Sequence, residues 1–287
     1  MCDSMNMEIN HIDVGGLTLA YRKAGKQADP CLVLLHGWPQ TGLAWESVLP
    51  ELGRDSYALA FDLPGVGDSR GAPASAEKTV IADIVLRAAE AAGGKSILVV
   101  GYDVGGMIAF ACARDHDTRI DGAVVMNTVI PGLDPWQKIL ADPRIWHFAF
   151  HLIPDLPETL VAGHERAYFD FFYNVMASDP QNLPDARRDA YARGYARREA
   201  LQAGFDWYRA MPQDAEHNSK RKDIRTPLLY LRGDADGRSP DDYVPGIKDA
   251  GAVNVESGVL PNSGEYAPEE APRALIEALR RFTSAWR

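Results

Sequence analysis

The chain has 287 residues, 46 % hydrophobic and 24 % charged, which suits one large soluble domain or a core with an inserted subdomain and excludes wholesale disorder. A net charge of −10 argues against a nucleic-acid binder, which needs a basic face for phosphate. Cys2, Cys31 and Cys112 are too few and too scattered for a disulfide framework or a metal knuckle, and Cys31 and Cys112 are expected to be buried free thiols.

In chain order, residues 1–10 carry no basic region and no apolar segment, so no signal peptide is expected and the location read from the sequence is cytoplasmic. No apolar run approaches membrane-spanning length. Residues 8–14 and 17–23 flank a Gly-Gly pair and are predicted to form an antiparallel hairpin. Apolar runs at 31–36, 57–62, 96–103 and 122–127 read as buried strands, with helices over 42–52, 78–92 and 104–115 between them. Such alternation is the signature of a parallel sheet with crossover helices. From about 133 to 222 the sequence becomes aromatic, proline-rich and helical, with no convincing strand. A basic run at 186–199 has arginines at helical spacing and is expected to be a solvated helix face. Strands resume at 227–234 and 252–260, and a helix over 269–286 closes the chain. The predicted class is α/β, a mostly parallel eight-stranded sheet flanked by helices. Its core is expected over 1–132 and 223–287, and an inserted helical cap over 133–222.

The strongest chemical signal is VVGYDVGGMIAF (residues 99–110), an apolar strand, then G-x-D-x-G-G, then a helix. This is the pattern of a nucleophile elbow, a tight strand-to-helix turn that exposes one side chain beside helix N–H groups. The elbow residue is Asp103, a carboxylate that can attack saturated carbon and form an alkyl ester. The HGWP loop after the 31–36 strand is placed to turn a backbone N–H toward it, so Trp38 and Val104 are the expected oxyanion-hole donors. His36 is expected to be mainly structural, its ring bonded to the loop backbone.

Three stretches, HGWPQT (36–41), DLPGVGDS (62–69) and GYDVGG (101–106), resemble α/β-hydrolase-fold proteins of the epoxide hydrolase and haloalkane dehalogenase group. The resemblance covers nearly the whole chain. In the cap, WHF (146–148) and DWYRAM (206–211) are similar to the segments of bacterial epoxide hydrolases that use a His/Tyr pair. The resemblance thus implies that His147 and Tyr208 donate hydrogen bonds to an epoxide oxygen while Asp103 attacks from the opposite side. It implies a small apolar or aromatic epoxide held between core and cap, with Trp146, Trp207, Asn127 and His36 along the pocket wall. Val104 and Met107 follow the elbow where fluoroacetate dehalogenases place arginines, which argues against a haloacid.

The sequence departs from that group at its water-activating histidine. The loop PNSGEY (261–266) has Glu265 in that slot, and no histidine follows His217. The acid that would orient the histidine is also displaced: Asn127 stands after the 122–127 strand, and Asp236, with Asp234 as second choice, fits the other customary place. Three carboxyls converging on one enclosed site should leave at least one protonated near neutral pH. Three readings stay open. Glu265 is a general base for hydrolysis, or an acid in a lyase, isomerase or cyclase reaction, or the mark of an impaired ligand-binding homologue. No phosphate loop, dinucleotide fingerprint or metal-ligand cluster is present, so no cofactor is expected. The expected partner is a small-molecule substrate, with neither nucleic acid nor membrane, and a homodimer is left open.

Overall fold

The computed structural model describes residues 7–27, 30–235 and 237–284. Eight strands form one sheet: β1 (Asn10–Val14), β2 (Leu17–Ala24), β3 (Cys31–Leu35), β4 (Tyr57–Phe61), β5 (Ile97–Tyr102), β6 (Gly122–Met126), β7 (Leu228–Gly233) and β8 (Val255–Leu260). Their order is β1-β2-β4-β3-β5-β6-β7-β8. β2 pairs antiparallel with β1 and β4, and the pairs from β4 through β8 are parallel. Strands β3 to β7 are buried at every residue, which is why they read as unbroken apolar runs rather than alternating ones. Cys31 and Cys112 are both buried, as expected. Among the described residues no helix is long and apolar enough to cross a membrane.

Several boundaries move for local reasons. The helix expected over 42–52 is a 3-10 turn at Gly42–Trp45 and a short helix at Leu49–Leu52, because Pro50 lacks an N–H and suits only a helix start. The closing helix is likewise two pieces, Ala267–Glu270 and Pro272–Ser284, since the residue before a proline is pushed out of helical geometry; Ala285 and Trp286 lie outside the described residues.

Between β6 and β7 the chain is helical, from Trp136–Leu140 to Met211–Asn218. The basic run in this stretch is a solvated face only in part, with Arg193 and Arg198 exposed and Arg187, Arg188 and Arg197 engaged. It covers nearly all of the helix Asp185–Tyr195 and the start of Arg198–Arg209. Arg188 is buried and donates to the carbonyls of Leu183 (2.7 Å) and Pro180 (2.8 Å). Arg187 pairs with Glu46 at 2.9 Å, and Arg197 donates to the carbonyls of Gly65, Gly67 and Ser69. Arg187 and Arg197 thus reach loops of the core, Arg188 ties back to carbonyls within the same helical stretch, and Arg193 and Arg198 are exposed. Two tyrosines complete the attachment: Tyr173 Oη donates to the Pro39 carbonyl and Tyr195 Oη to that of Gln40, both at 2.9 Å.

Candidate active site

Asp103 stands between β5 and the helix Val104–Asp115 with φ 51° and ψ −126°, a conformation that costs a non-glycine residue about 1–3 kcal/mol. The strain is tolerated because glycines make room. A Cβ on Gly37 would lie 2.7 Å from the Asp103 Cβ, and one on Gly101 would collide with the Gly105 carbonyl. The turn aims the carboxylate at two N–H groups. Trp38 N donates to Oδ2 at 2.7 Å and Val104 N–H bonds the same carboxylate. Both expected oxyanion donors therefore meet the elbow residue.

Burial raises the Asp103 pKa to about 6 against the pull of these two N–H groups and of the Lys78 ammonium. The leading cause is loss of water. Lys78 escaped notice in the sequence because an exposed helix start is the usual place for a lysine. Here it is buried, donating to the Trp207 carbonyl and pairing with Asp214 Oδ2 at 2.7 Å.

Asp103 opens into a small chamber of about 60 Å³ whose wall includes His147, Phe148, Asn127, Arg232, Arg238 and Glu265. A larger cavity of about 310 Å³ shares Asn127, Ile145, Met176, Arg232, Arg238 and Glu265 with it, and is bordered outside by Trp146, Phe171 and Val175. Glu265 thus lines the same chamber as Asp103, and its backbone is fixed from three sides. Its N–H donates to the Met176 carbonyl at 3.0 Å, and its carbonyl accepts from Asn127 Nδ2 at 3.0 Å. Glu270 Oε2 takes the N–H groups of Gly264 (3.0 Å) and Tyr266 (2.8 Å) on either side.

His147 is buried, with no hydrogen-bond partner for Nδ1 among the described residues, and burial lowers its pKa to about 3. Its ring lies 5.9 Å from that of Tyr208, whose phenol is held neutral by burial and by the nearby Asp103 charge. His151 completes the group, its ring 4.4 Å from Tyr208 and its Nε2 2.8 Å from Tyr168 Oη.

Two of the four residues expected at the pocket wall, His36 and Trp207, line neither chamber. The His36 ring is fully buried, Nδ1 meeting the Gly37 carbonyl at 2.9 Å and Nε2 accepting from Leu63 N at 3.0 Å, so both ring nitrogens are engaged with backbone. Trp207 is buried and lines neither chamber, because its helix turns that ring toward His36. Asn127 lines both chambers, but its amide is spent on backbone: Nδ2 on Gly264 and Glu265, Oδ1 on Gly233 N at 2.9 Å. Trp146 does line the outer cavity. Asp234 is exposed and accepts from Ser263 N at 3.3 Å, while Asp236 lies outside the described residues. The arginines at 232 and 238 are the feature the sequence reading missed. An Arg inside the otherwise apolar run LLYLRG was the available signal.

Residues 30–272 match the model of the alpha/beta hydrolase fold family. The chain belongs to that family. Among its α/β-hydrolase relatives, a soluble epoxide hydrolase of Corynebacterium sp. (strain C12) is 29 % identical over 97 % of this chain and 98 % of its own. A pimeloyl-[acyl-carrier protein] methyl ester esterase of Nitrosospira multiformis is 25 % identical over 94 % of this chain and 99 % of its own. The crystal structure of Cfl2 from Burkholderia cenocepacia superposes with a TM-score of 0.87 at 31 % identity, covering 96 % of this chain and 95 % of that one. The α/β-hydrolase fold expected from the three sequence stretches is therefore established, with epoxide hydrolases and esterases among its relatives.

Proposed function

We propose that this α/β hydrolase opens a small apolar or aromatic epoxide and hydrolyses the resulting ester. The observation that carries the reading is the setting of Asp103: its carboxylate meets the Trp38 and Val104 N–H groups and opens on a chamber that also presents His147 and Glu265. In this reading Asp103 Oδ attacks an epoxide carbon, the C–O bond breaks, and the departing oxygen takes a proton from the neutral His147/Tyr208 pair. Such donors are needed because an alkoxide is a poor leaving group. Glu265 then removes a proton from water, and the hydroxide adds to the ester carbonyl, whose oxyanion faces Trp38 and Val104. Collapse releases the diol and restores Asp103, and the proton on Glu265 returns through solvent to the donor pair. The helices between β6 and β7 act as the cap that supplies the donors and the aromatic mouth.

Intact-protein mass spectrometry with styrene oxide in ¹⁸O-water tests this, with Asp103→Asn as control. An adduct on Asp103, label entering the Asp103 carboxylate on the first turnover and the diol on later ones, is the expected result. A rearranged, unlabelled product would replace hydrolysis by an isomerase or lyase reaction. No adduct and no product would leave a binding protein.

A further inference from the structure

We propose that Glu269 is a positioning residue for the anion-stabilising loop: acting through Gln40, it fixes the peptide unit that turns the Trp38 N–H onto Asp103. The inference rests on the reading of that N–H as the donor to the ester oxyanion, and adds to it a residue that lines neither chamber. One peptide plane carries both the Gly37 carbonyl and the Trp38 N–H, pointing in opposite directions. Whatever holds the carbonyl therefore aims the N–H. Gln40 N donates to the Gly37 carbonyl at 3.0 Å, beside His36 Nδ1 at 2.9 Å, while Trp38 N reaches Asp103 Oδ2 at 2.7 Å.

Gln40 is itself held at its remaining polar groups. Its carbonyl accepts from Tyr195 Oη at 2.9 Å, its Nε2 donates to Glu269 Oε2 at 2.5 Å, and its Oε1 accepts from Tyr102 Oη. The direction of these bonds starts at Glu269. A carboxylate only accepts, so the Gln40 amide turns its NH2 toward Glu269 and its oxygen toward the Tyr102 hydroxyl. Tyr102 precedes the elbow residue and meets the loop again at Gly37, where an added Cβ would lie 3.0 Å from ring carbon Cε2. One amide thus ties Glu269 both to the loop and to the end of β5.

Glu269 lies in the helix Ala267–Glu270, just after the loop that carries Glu265, and its side chain is only 6 % exposed. Its Oε1 accepts from Tyr191 Oη at 2.9 Å and faces Arg187 Nε at 3.5 Å, both from the helix Asp185–Tyr195. Burial raises its pKa to about 7 against the pull of Arg187, Tyr191 and Gln40. A carboxyl is costly to enclose in this way. What it supplies, and an apolar side chain of the same size does not, is an acceptor for Gln40 and Tyr191.

The test separates the two half-reactions. With styrene oxide as probe, adduct formation and adduct loss are timed by intact mass for the parent, Glu269→Leu and Glu269→Gln. Only adduct loss builds charge on the ester oxygen, so Glu269→Leu should slow it about tenfold or more and leave adduct formation within about threefold. Glu269→Gln keeps an oxygen that accepts from Gln40 and should restore most of that loss. Gln40→Met breaks the same relay from the loop side and should reproduce the split even where Glu269→Leu does not fold. Equal rates in the Leu and Gln variants, or equal slowing of both steps, would overturn the inference. The Trp38 amide-proton resonance of ¹⁵N-labelled protein at pH 8 gives an answer independent of turnover, with Asp103→Asn marking its place once the carboxylate is lost. Glu269→Leu should move the resonance toward that mark and Glu269→Gln return it toward the parent; an unmoved resonance would refute the positioning. A moved resonance in a chain that turns over no epoxide would strike the epoxide reading and leave the positioning in place.

Discussion

The Asn127 side-chain amide donates to the Glu265 carbonyl at 3.0 Å and to that of Gly264 at 2.9 Å. Asparagine therefore stands at this position for its N–H groups, which a carboxylate cannot supply. Asn127→Asp should not recreate a productive acid. It would set a negative oxygen against two carbonyls and is expected to cost about 1–3 kcal/mol in urea unfolding, with slower ester hydrolysis. Unchanged stability would show that the loop does not depend on this tie.

Asp103 gives a pH-dependent stability of unusual sign. Its folded pKa of about 6 lies above the ordinary 3.8, so between these values the native state binds more protons than the unfolded one. Stability should fall as pH rises from about 4 to 6 and stay lowered above that. Asp103→Asn should thus raise stability by about 1–2 kcal/mol at pH 8 and by little at pH 3.5, while abolishing adduct formation. Melting curves of both proteins at the two pH values check this.

His147 is neutral throughout the working range, because burial lowers its pKa to about 3. It can donate a hydrogen bond without titrating, so no limb of the pH–rate profile between 5 and 8 should vanish in His147→Gln. His147→Gln and Tyr208→Phe should each slow adduct formation by about 10²–10³-fold, a loss on the scale of one oxyanion donor. Single-turnover mass spectrometry reads both numbers.

The pair Lys78–Asp214, 2.7 Å apart and buried, fastens the start of the helix Lys78–Ala91 to the inserted helices. Lys78→Met should cost about 3–5 kcal/mol by stranding a buried carboxylate, and Lys78→Met/Asp214→Leu far less. Lys78 also lowers the Asp103 pKa, so the single variant should move the acid limb of adduct formation upward. Stopped-flow or quench measurements across pH 5–8 follow that shift.

The fold was legible because its signals are local and periodic. Buried strands read as apolar runs, and the elbow helix begins at Val104 and ends at Asp115 as expected. The elbow and the HGWP loop were legible for a similar reason: tight turns confine residue type. What escaped was the direction of single side chains. Nothing in the sequence distinguishes Trp207, turned into the core, from Trp146, exposed at the outer cavity. Lys78 and Arg188 carry the residue types of a surface, and their burial is decided by carbonyls and carboxylates that only the folded chain brings together, distant ones for Lys78 and those of the preceding turn for Arg188. Charge counting over carboxyls alone likewise overlooked the cations at 78, 232 and 238 that share their space.

The two phenol tethers from Tyr173 to Pro39 and from Tyr195 to Gln40 have a consequence for traffic through the site. They grip the very loop that presents the Trp38 N–H, so lifting the upper helices as a lid would dismantle the anion-stabilising apparatus on each turnover. The cavity beside Glu265 is instead bordered by the exposed side chains of Trp146, Phe171 and Val175, and in the proposed reaction this flank is where substrate would enter and product leave. Under that reading a molecule would be sorted by bulk at this rim before it reached the carboxylate.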